Sequence, residues 1–138
     1  MIYPATEKYI DLAIQSLQKG EVIVYPTDTI YGFGVDATNT DAIIKLNRLK
    51  GRSQPLSIIL ESIDQIEQFA EVDDKTLKEL NSIFPGEYTA LVPAKESILS
   101  PLVCNSSPLV GIRIPLHFFS LELVKILGKP IITTSINK

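Results

Sequence analysis

Cysteine is nearly absent: the 138 residues hold one, Cys104. A single thiol builds no disulfide, and beside a single histidine, His117, it makes no zinc-ligand set, so no metal site is expected. The expectation is a domain held by its apolar core in a reducing, cytoplasmic setting, with Cys104 a small half-buried apolar residue. No apolar run approaches the roughly 18 residues of a membrane span. The N-terminus, MIYPATEKYI, also lacks the basic start and apolar stretch of a signal peptide. Excess charge is lacking too. A net charge of -3 argues against broad attraction to nucleic acid or anionic membrane, so any polyanion site must be local. What remains is 45% hydrophobic and 21% charged, the composition of one soluble globular domain.

Periodicity divides the chain. Thr6 caps a helix carrying Ile10, Ala13, Ile14 and Leu17 until Gly20 stops it. Residues 22–25 form an apolar, β-branched strand that runs into Pro26, and residues 31–35 continue the sheet. Thr40 caps a second helix with Ala42, Ile43, Leu46 and Leu49, ended by Gly51. A strand at 56–60 precedes a helix opened by Ser62, and Asp73 or Asp74 starts the next. Pro85-Gly86 marks a turn before a strand at 88–92; residues 95–108 are a polar loop. A strand at 109–114, a helix carrying Phe119, Leu123, Val124 and Leu127, and a strand at 130–134 follow. This alternation, without repeats or a linker, implies a layered α/β domain.

Four segments carry the polar chemistry. Pro26 to Gly34 reads PTDTIYGFG, a hydroxyl-rich loop directly after a strand, where α/β sheets bind ligands. A plain turn with hydroxyl and Asx caps fits its local pattern equally well. Lys45, Arg48, Lys50 and Arg52 place four cations within eight residues. An extended chain past the helix end would project Lys50 and Arg52 to one side, able to grip neighbouring phosphates. Cations also complement a helix C-terminus, with no ligand at all. Residues 133–137 read TTSIN, and strand alternation puts Thr133, Ser135 and Asn137 on one face. Arg113, inside the apolar segment VGIRIP, needs an anion, either a protein carboxylate or a ligand.

Taken in order, these segments resemble the YrdC/Sua5/YciO family, whose pattern is a PTDTxYG loop, a KxR motif, a GxRxP strand and an SxN motif. They stand here as PTDTIYG at 26–32, KGR at 50–52, GIRIP at 111–115 and SIN at 135–137, and FPGEYT at 84–89 is similar to the family's PGxxT segment. The resemblance implies an α/β domain with a twisted open mixed sheet flanked by helices and a positively charged concave face. It implies a nucleotidyltransferase that condenses L-threonine, bicarbonate and ATP, with Mg²⁺ as part of the substrate complex, to threonylcarbamoyl-AMP and pyrophosphate. No tightly bound cofactor is implied. Partner proteins then pass the group to adenosine 37 of tRNA, and some members bind tRNA or double-stranded RNA. By position, Lys50, Arg52, Ser135 and Asn137 fall to the nucleotide, with Lys50 and Arg52 catalytic; Thr89 also faces the nucleotide, and Thr27, Arg113 and Thr133 face L-threonine.

The sequence departs from the family's pattern in three places. It ends one residue after SIN where relatives continue, so residues 1–138 are expected to be a single domain lacking the C-terminal stretch. Ser53-Gln54-Pro55-Leu56 lacks the Lys, His or Asn often found before Pro-Leu, and Glu87 replaces a common proline. Two other functions stand beside the synthase: a nucleotide- or RNA-binding module without turnover, and a carbamoyl-adenylate-forming domain like those of hydrogenase-maturation proteins. Threonine dependence and turnover separate them.

Overall fold

The computed structural model describes residues 9–26, 31–51 and 55–135. Within them the order is α1 (Ile10–Gln18), β1 (Ile23–Pro26), β2 (Tyr31–Asp36), α2 (Thr40–Lys50), β3 (Ser57–Ile59), a 3-10 helix (Ile63–Gln68), α3 (Asp74–Ile83), β4 (Ala90–Pro93), β5 (Leu109–Arg113), α4 (Phe118–Leu127) and β6 (Ile131–Ser135). The expected α/β alternation is present. Thr6, expected to cap α1, lies outside the described residues. The cap of α2 shifts by one: Asn39, extended at φ -103, accepts from the Ala42 amide through its side chain, while Thr40 is already helical. Thr40 instead shares a hydrogen bond with the Ser100 hydroxyl at 2.7 Å. The segment after Ser62 is a 3-10 helix without a side-chain cap.

The six strands form one sheet in the order β1-β2-β6-β3-β5-β4. Only β3 and β5 run parallel; every other neighbouring pair is antiparallel, so the sheet is mixed. The strand that leads into PTDT is therefore an edge strand by hydrogen bonding, and its burial comes from helices.

Strand alternation sorts the side chains into two layers. Val35, Ile132, Ile58, Ile112 and Ala90 are successive cross-strand partners on one face and are buried under Ala42, Ile43 and Leu46 of α2, Ile66 and Phe69 of the 3-10 segment, and Leu80 of α3. The other face carries Ile23, Tyr25, Ile131 and Ile59, buried under Ile10, Ala13, Ile14 and Leu17 of α1 and Phe119, Leu123 and Val124 of α4. Each fully buried Ile or Leu stabilises by about 1.5–3 kcal/mol relative to exposure. The two helices stop short of β5 and β4, and the same face stays open there.

Candidate ligand site on the open face of the sheet

The open face is read along its cross-strand rows. Gly34, Thr133, Ser57, Gly111 and Leu91 are consecutive partners across β2, β6, β3, β5 and β4. One pair of residues along the strands, Ile131, Ile59 and Arg113 form the next row on this face. Thr89, exposed, immediately precedes Ala90, the partner of Ile112. Thr133 is buried at 5% exposure, Ser57 and Arg113 are half-buried, and Leu91 is 67% exposed. Thr133, Ser57 and Arg113 thus present polar side chains on a face that also carries Asp36 of β2, the register partner of Ile131; Asp36 is buried, accepts from Thr38 and pairs with Lys129 at 3.7 Å.

At the end of this face where β3 and β5 begin lies a hollow of about 170 Å³ lined by Pro55, Leu56, Ser57, Leu91, Ser107, Leu109 and Gly111. Gly111 keeps it open, because a Cβ there would stand 2.8 Å from the Ser57 hydroxyl and 3.5 Å from Leu91 Cδ2. The rim at Ser107 is set by a tight turn. The Ser107 amide donates to the Cys104 carbonyl at 2.9 Å, and the two residues between, Asn105 and Ser106, are left-handed at φ 48 and 71. That loop is tied to the start of β3 by the Leu56 amide, which donates to the Val103 carbonyl at 2.8 Å.

The described ends that flank three of the motifs meet at one end of the sheet. β1 ends at Pro26 beside Tyr31, where β2 begins; Gly32 pairs with Ser135, where β6 ends; and β3 begins beside Thr133. α2 follows β2 in the chain, lies on the face opposite the hollow and runs back to that end, finishing at Lys50. Gly51 then takes the left-handed conformation, φ 74, and its amide donates to the Arg48 and Asn47 carbonyls. The extended chain on which Lys50 would share a side with Arg52 is not found at Lys50, which is the last helical residue, and the expected stop at Gly51 follows it. Arg52, Thr27 and Asn137 lie outside the described residues.

The backbone register pairs Thr133 with Gly34 and Ser135 with Gly32. It sets Arg113 two strands and two residues from Thr133, about 12 Å between their backbones by sheet spacing. Arg113 is the last residue of β5 rather than an interior one. His117 is the N-cap residue of α4, outside these rows. Cys104 is half-buried, and burial pushes its thiol above the ordinary range. Ser57 was not singled out by sequence reasoning, although a signal existed: it is the one hydroxyl in the apolar run LSIIL. Among the described residues no three His, Cys, Asp or Glu side chains gather to hold a metal, and no helix is long and apolar enough to cross a membrane.

Residues 15–138 match the family model Sua5_yciO_yrdC, described as telomere recombination. The chain is 38% identical over 124 residues to a protein named threonylcarbamoyl-AMP synthase from Bacillus subtilis, covering 88% of this chain and 36% of that one. It is 33% identical over 135 residues to a protein of the same name from Aliivibrio fischeri, covering 94% and 72%. Among solved structures it superposes on P. abyssi Sua5 complexed with L-threonine with a TM-score of 0.89 at 27% identity, covering 99% of this chain and 42% of that chain. E. coli YciO shares the fold, with a TM-score of 0.86 at 21% identity, covering 97% and 68%. The chain spans 36% and 45% of the length of the first two curated relatives, those from B. subtilis and rat.

Proposed function

The chain belongs to the Sua5/YciO/YrdC family, and from that membership we propose that it activates L-threonine as threonylcarbamoyl-AMP, for transfer to tRNA by partner proteins. The threonine amine and bicarbonate give a carbamate with loss of water. A carbamate oxygen then attacks the α-phosphorus of Mg²⁺-bound ATP, the new O–P bond forms, the α–β anhydride breaks, and pyrophosphate leaves. Negative charge builds on the phosphoryl oxygens, and fixed cations lower that barrier by electrostatics and positioning, without a covalent nucleophile. In this reading Lys50 and Arg52 stabilise that charge, and Ser135, Asn137 and Thr89 hold the nucleotide. Arg113 takes the threonine carboxylate, a group its planar fork suits. Thr27 and Thr133 hold the rest of the amino acid.

The observation that carries the reading is the meeting, at one sheet end, of the chain ends flanking the PTDT, KGR and SIN motifs, beside an open face bearing Thr133, Ser57 and Arg113. It is supported by the relatives named threonylcarbamoyl-AMP synthase and by the neighbour complexed with L-threonine.

The test is pyrophosphate release from MgATP in bicarbonate, with and without L-threonine, in the wild type, Lys50→Ala and Ser135→Ala. Threonine-dependent release that falls by about a hundredfold or more in Lys50→Ala is the expected result, the scale for losing one transition-state contact. ATP binding without release would make the chain a binding module, and release that depends on carbamoyl phosphate instead of threonine would make it a carbamoyl-adenylate former.

A further inference from the structure

We propose that the helical layer on the far side of the sheet from the hollow docks a second copy of this chain, in a twofold dimer in which α2 of each copy lies against the acidic segment 61–74 of the other. Charge is segregated along the chain. Residues 42–60 carry Lys45, Arg48, Lys50 and Arg52 and no carboxylate, whereas residues 61–74 carry Glu61, Asp64, Glu67, Glu71, Asp73 and Asp74 and no cation. The fold keeps both blocks in one layer. α2 packs on β2, while the 3-10 segment and α3 share its core and reach the far edge of the sheet, where the Glu71 amide donates to the Pro93 carbonyl of β4. β2 and β4 are four strand spacings apart, so the cationic and anionic halves lie about 19 Å from each other. Such a face is complementary to itself: a twofold axis lays each cationic half on an anionic one.

The outward stripe of α2 is not what water alone would select. Asp41, Ile44, Lys45, Arg48 and Leu49 recur at three- and four-residue spacing, so they share one side of the helix, and all are exposed, Leu49 by 63%. Ala42, Ile43 and Leu46 already supply the buried stripe, so Ile44 and Leu49 are surplus apolar surface set among cations. Lys45 Nζ reaches only a neutral acceptor, the Gly20 carbonyl at 3.3 Å. The acidic half matches this in kind: Asp64, Glu67 and Glu71 are exposed, and Ile98, 60% exposed, shares a shallow hollow with Glu61, Gln65 and Gln68. An RNA duplex laid on the same face would meet those carboxylates, and the exposed anchors on α2 are aliphatic rather than stacking rings, so a protein surface fits better. The complementary one is on this chain.

Sedimentation equilibrium at low and high salt tests the dimer in the wild type, in Leu49→Ala, in Lys45→Glu with Arg48→Glu, in Asp64→Lys with Glu67→Lys, and in an equimolar mixture of the two charge-reversed proteins. Every substituted position is exposed, so the variants keep the fold, which circular dichroism checks. The wild type should dimerise at low salt, with a dissociation constant that rises about tenfold at high salt as several exposed pairs are screened. Leu49→Ala should weaken the dimer several-fold, and each charge-reversed protein alone should stay monomeric. Their mixture should recover a one-to-one dimer, because reversed α2 then faces reversed 61–74 and each unaltered half faces an unaltered one. A wild type that is monomeric at low salt, a charge-reversed protein that dimerises as tightly as wild type, or a mixture that stays monomeric would overturn the proposal. A monomeric wild type that binds an RNA duplex through Lys45 and Arg48 would overturn it too and give the helix to RNA.

Discussion

At the scale of single residues, two glycines on the same row of the sheet do different jobs. A Cβ on Gly34 would stand 2.5 Å from Tyr25 Cε1 and 3.4 Å from Ile131 Cγ2. Tyr25 has no room to yield: it is fully buried, with its ring centroid 6.5 Å from that of Phe119. Gly34→Ala should therefore destabilise by about 1–3 kcal/mol, the range for overpacking, and urea melts would register it as a lower midpoint at unchanged slope. A midpoint equal to wild type would mean that the Tyr25 ring shifts freely. Gly111, by contrast, faces an open hollow and the end of a short side chain that can turn, so alanine there should cost less stability than at Gly34. Cys104 gives a second residue-scale expectation. Burial raises its thiol pKa, so less thiolate forms at a given pH, and alkylation at pH 8 should be slower in the folded chain than in denaturant. Equal rates would show an open, ordinary thiol.

Helix ends are where element-scale stability can be probed independently of the core. Asn39→Ala removes the acceptor for the Ala42 amide and should cost about 1 kcal/mol, with α2, and so Lys50 at its far end, anchored less firmly. A thermal melt detects the loss, and an unchanged midpoint would mean that water replaces the cap. Asp73 caps α3 by accepting from the Thr76 amide at 2.8 Å, a bond to the backbone that, with one to the Thr76 side chain, holds its pKa below 3.8. A depressed folded value stabilises the fold above the unfolded value and loses that contribution as pH falls through the folded one. The deficits of Asp73→Ala and Asp73→Asn relative to wild type should therefore both be largest near neutrality and diminish below pH 3.8, because the wild type loses the ionised cap there. A deficit that widens in acid would reverse the sign and rule out the ionised cap. Elements of this kind were legible because caps and apolar periods are local. Asn39 displaced Thr40 because a cap needs extended backbone as well as an acceptor, and two neighbouring polar residues look alike in sequence.

Over the whole molecule, the order of the motifs was readable in the sequence, but the partnership of their strands was not. β3 lies between β5 and β6, which follow it in the chain, so Ser57 acquires Thr133 and Gly111 as neighbours only through pairings at long range. That is why Ser57 and its hollow escaped a reading based on local pattern, whereas PTDT, KGR, GIRIP and SIN stood out. Within KGR, Lys50 is helical and the left-handed Gly51 is the stop that the sequence marked, so the extended alternative does not apply to Lys50. A site assembled from distant segments carries a thermodynamic consequence. A ligand that contacts β3, β5, β6 and the end of α2 together binds the folded state and not the unfolded chain, so it must stabilise the fold by mass action. MgATP at 100 times its dissociation constant would add about 2.7 kcal/mol. For a chain of this length each kcal/mol moves the melting midpoint by roughly 3–5 °C, which gives a rise of about 10 °C. On the proposed assignment of Lys50 to the nucleotide, Lys50→Ala should lose much of that rise. A midpoint that MgATP leaves unmoved at millimolar concentration would mean that these segments, though adjacent, do not form one nucleotide site.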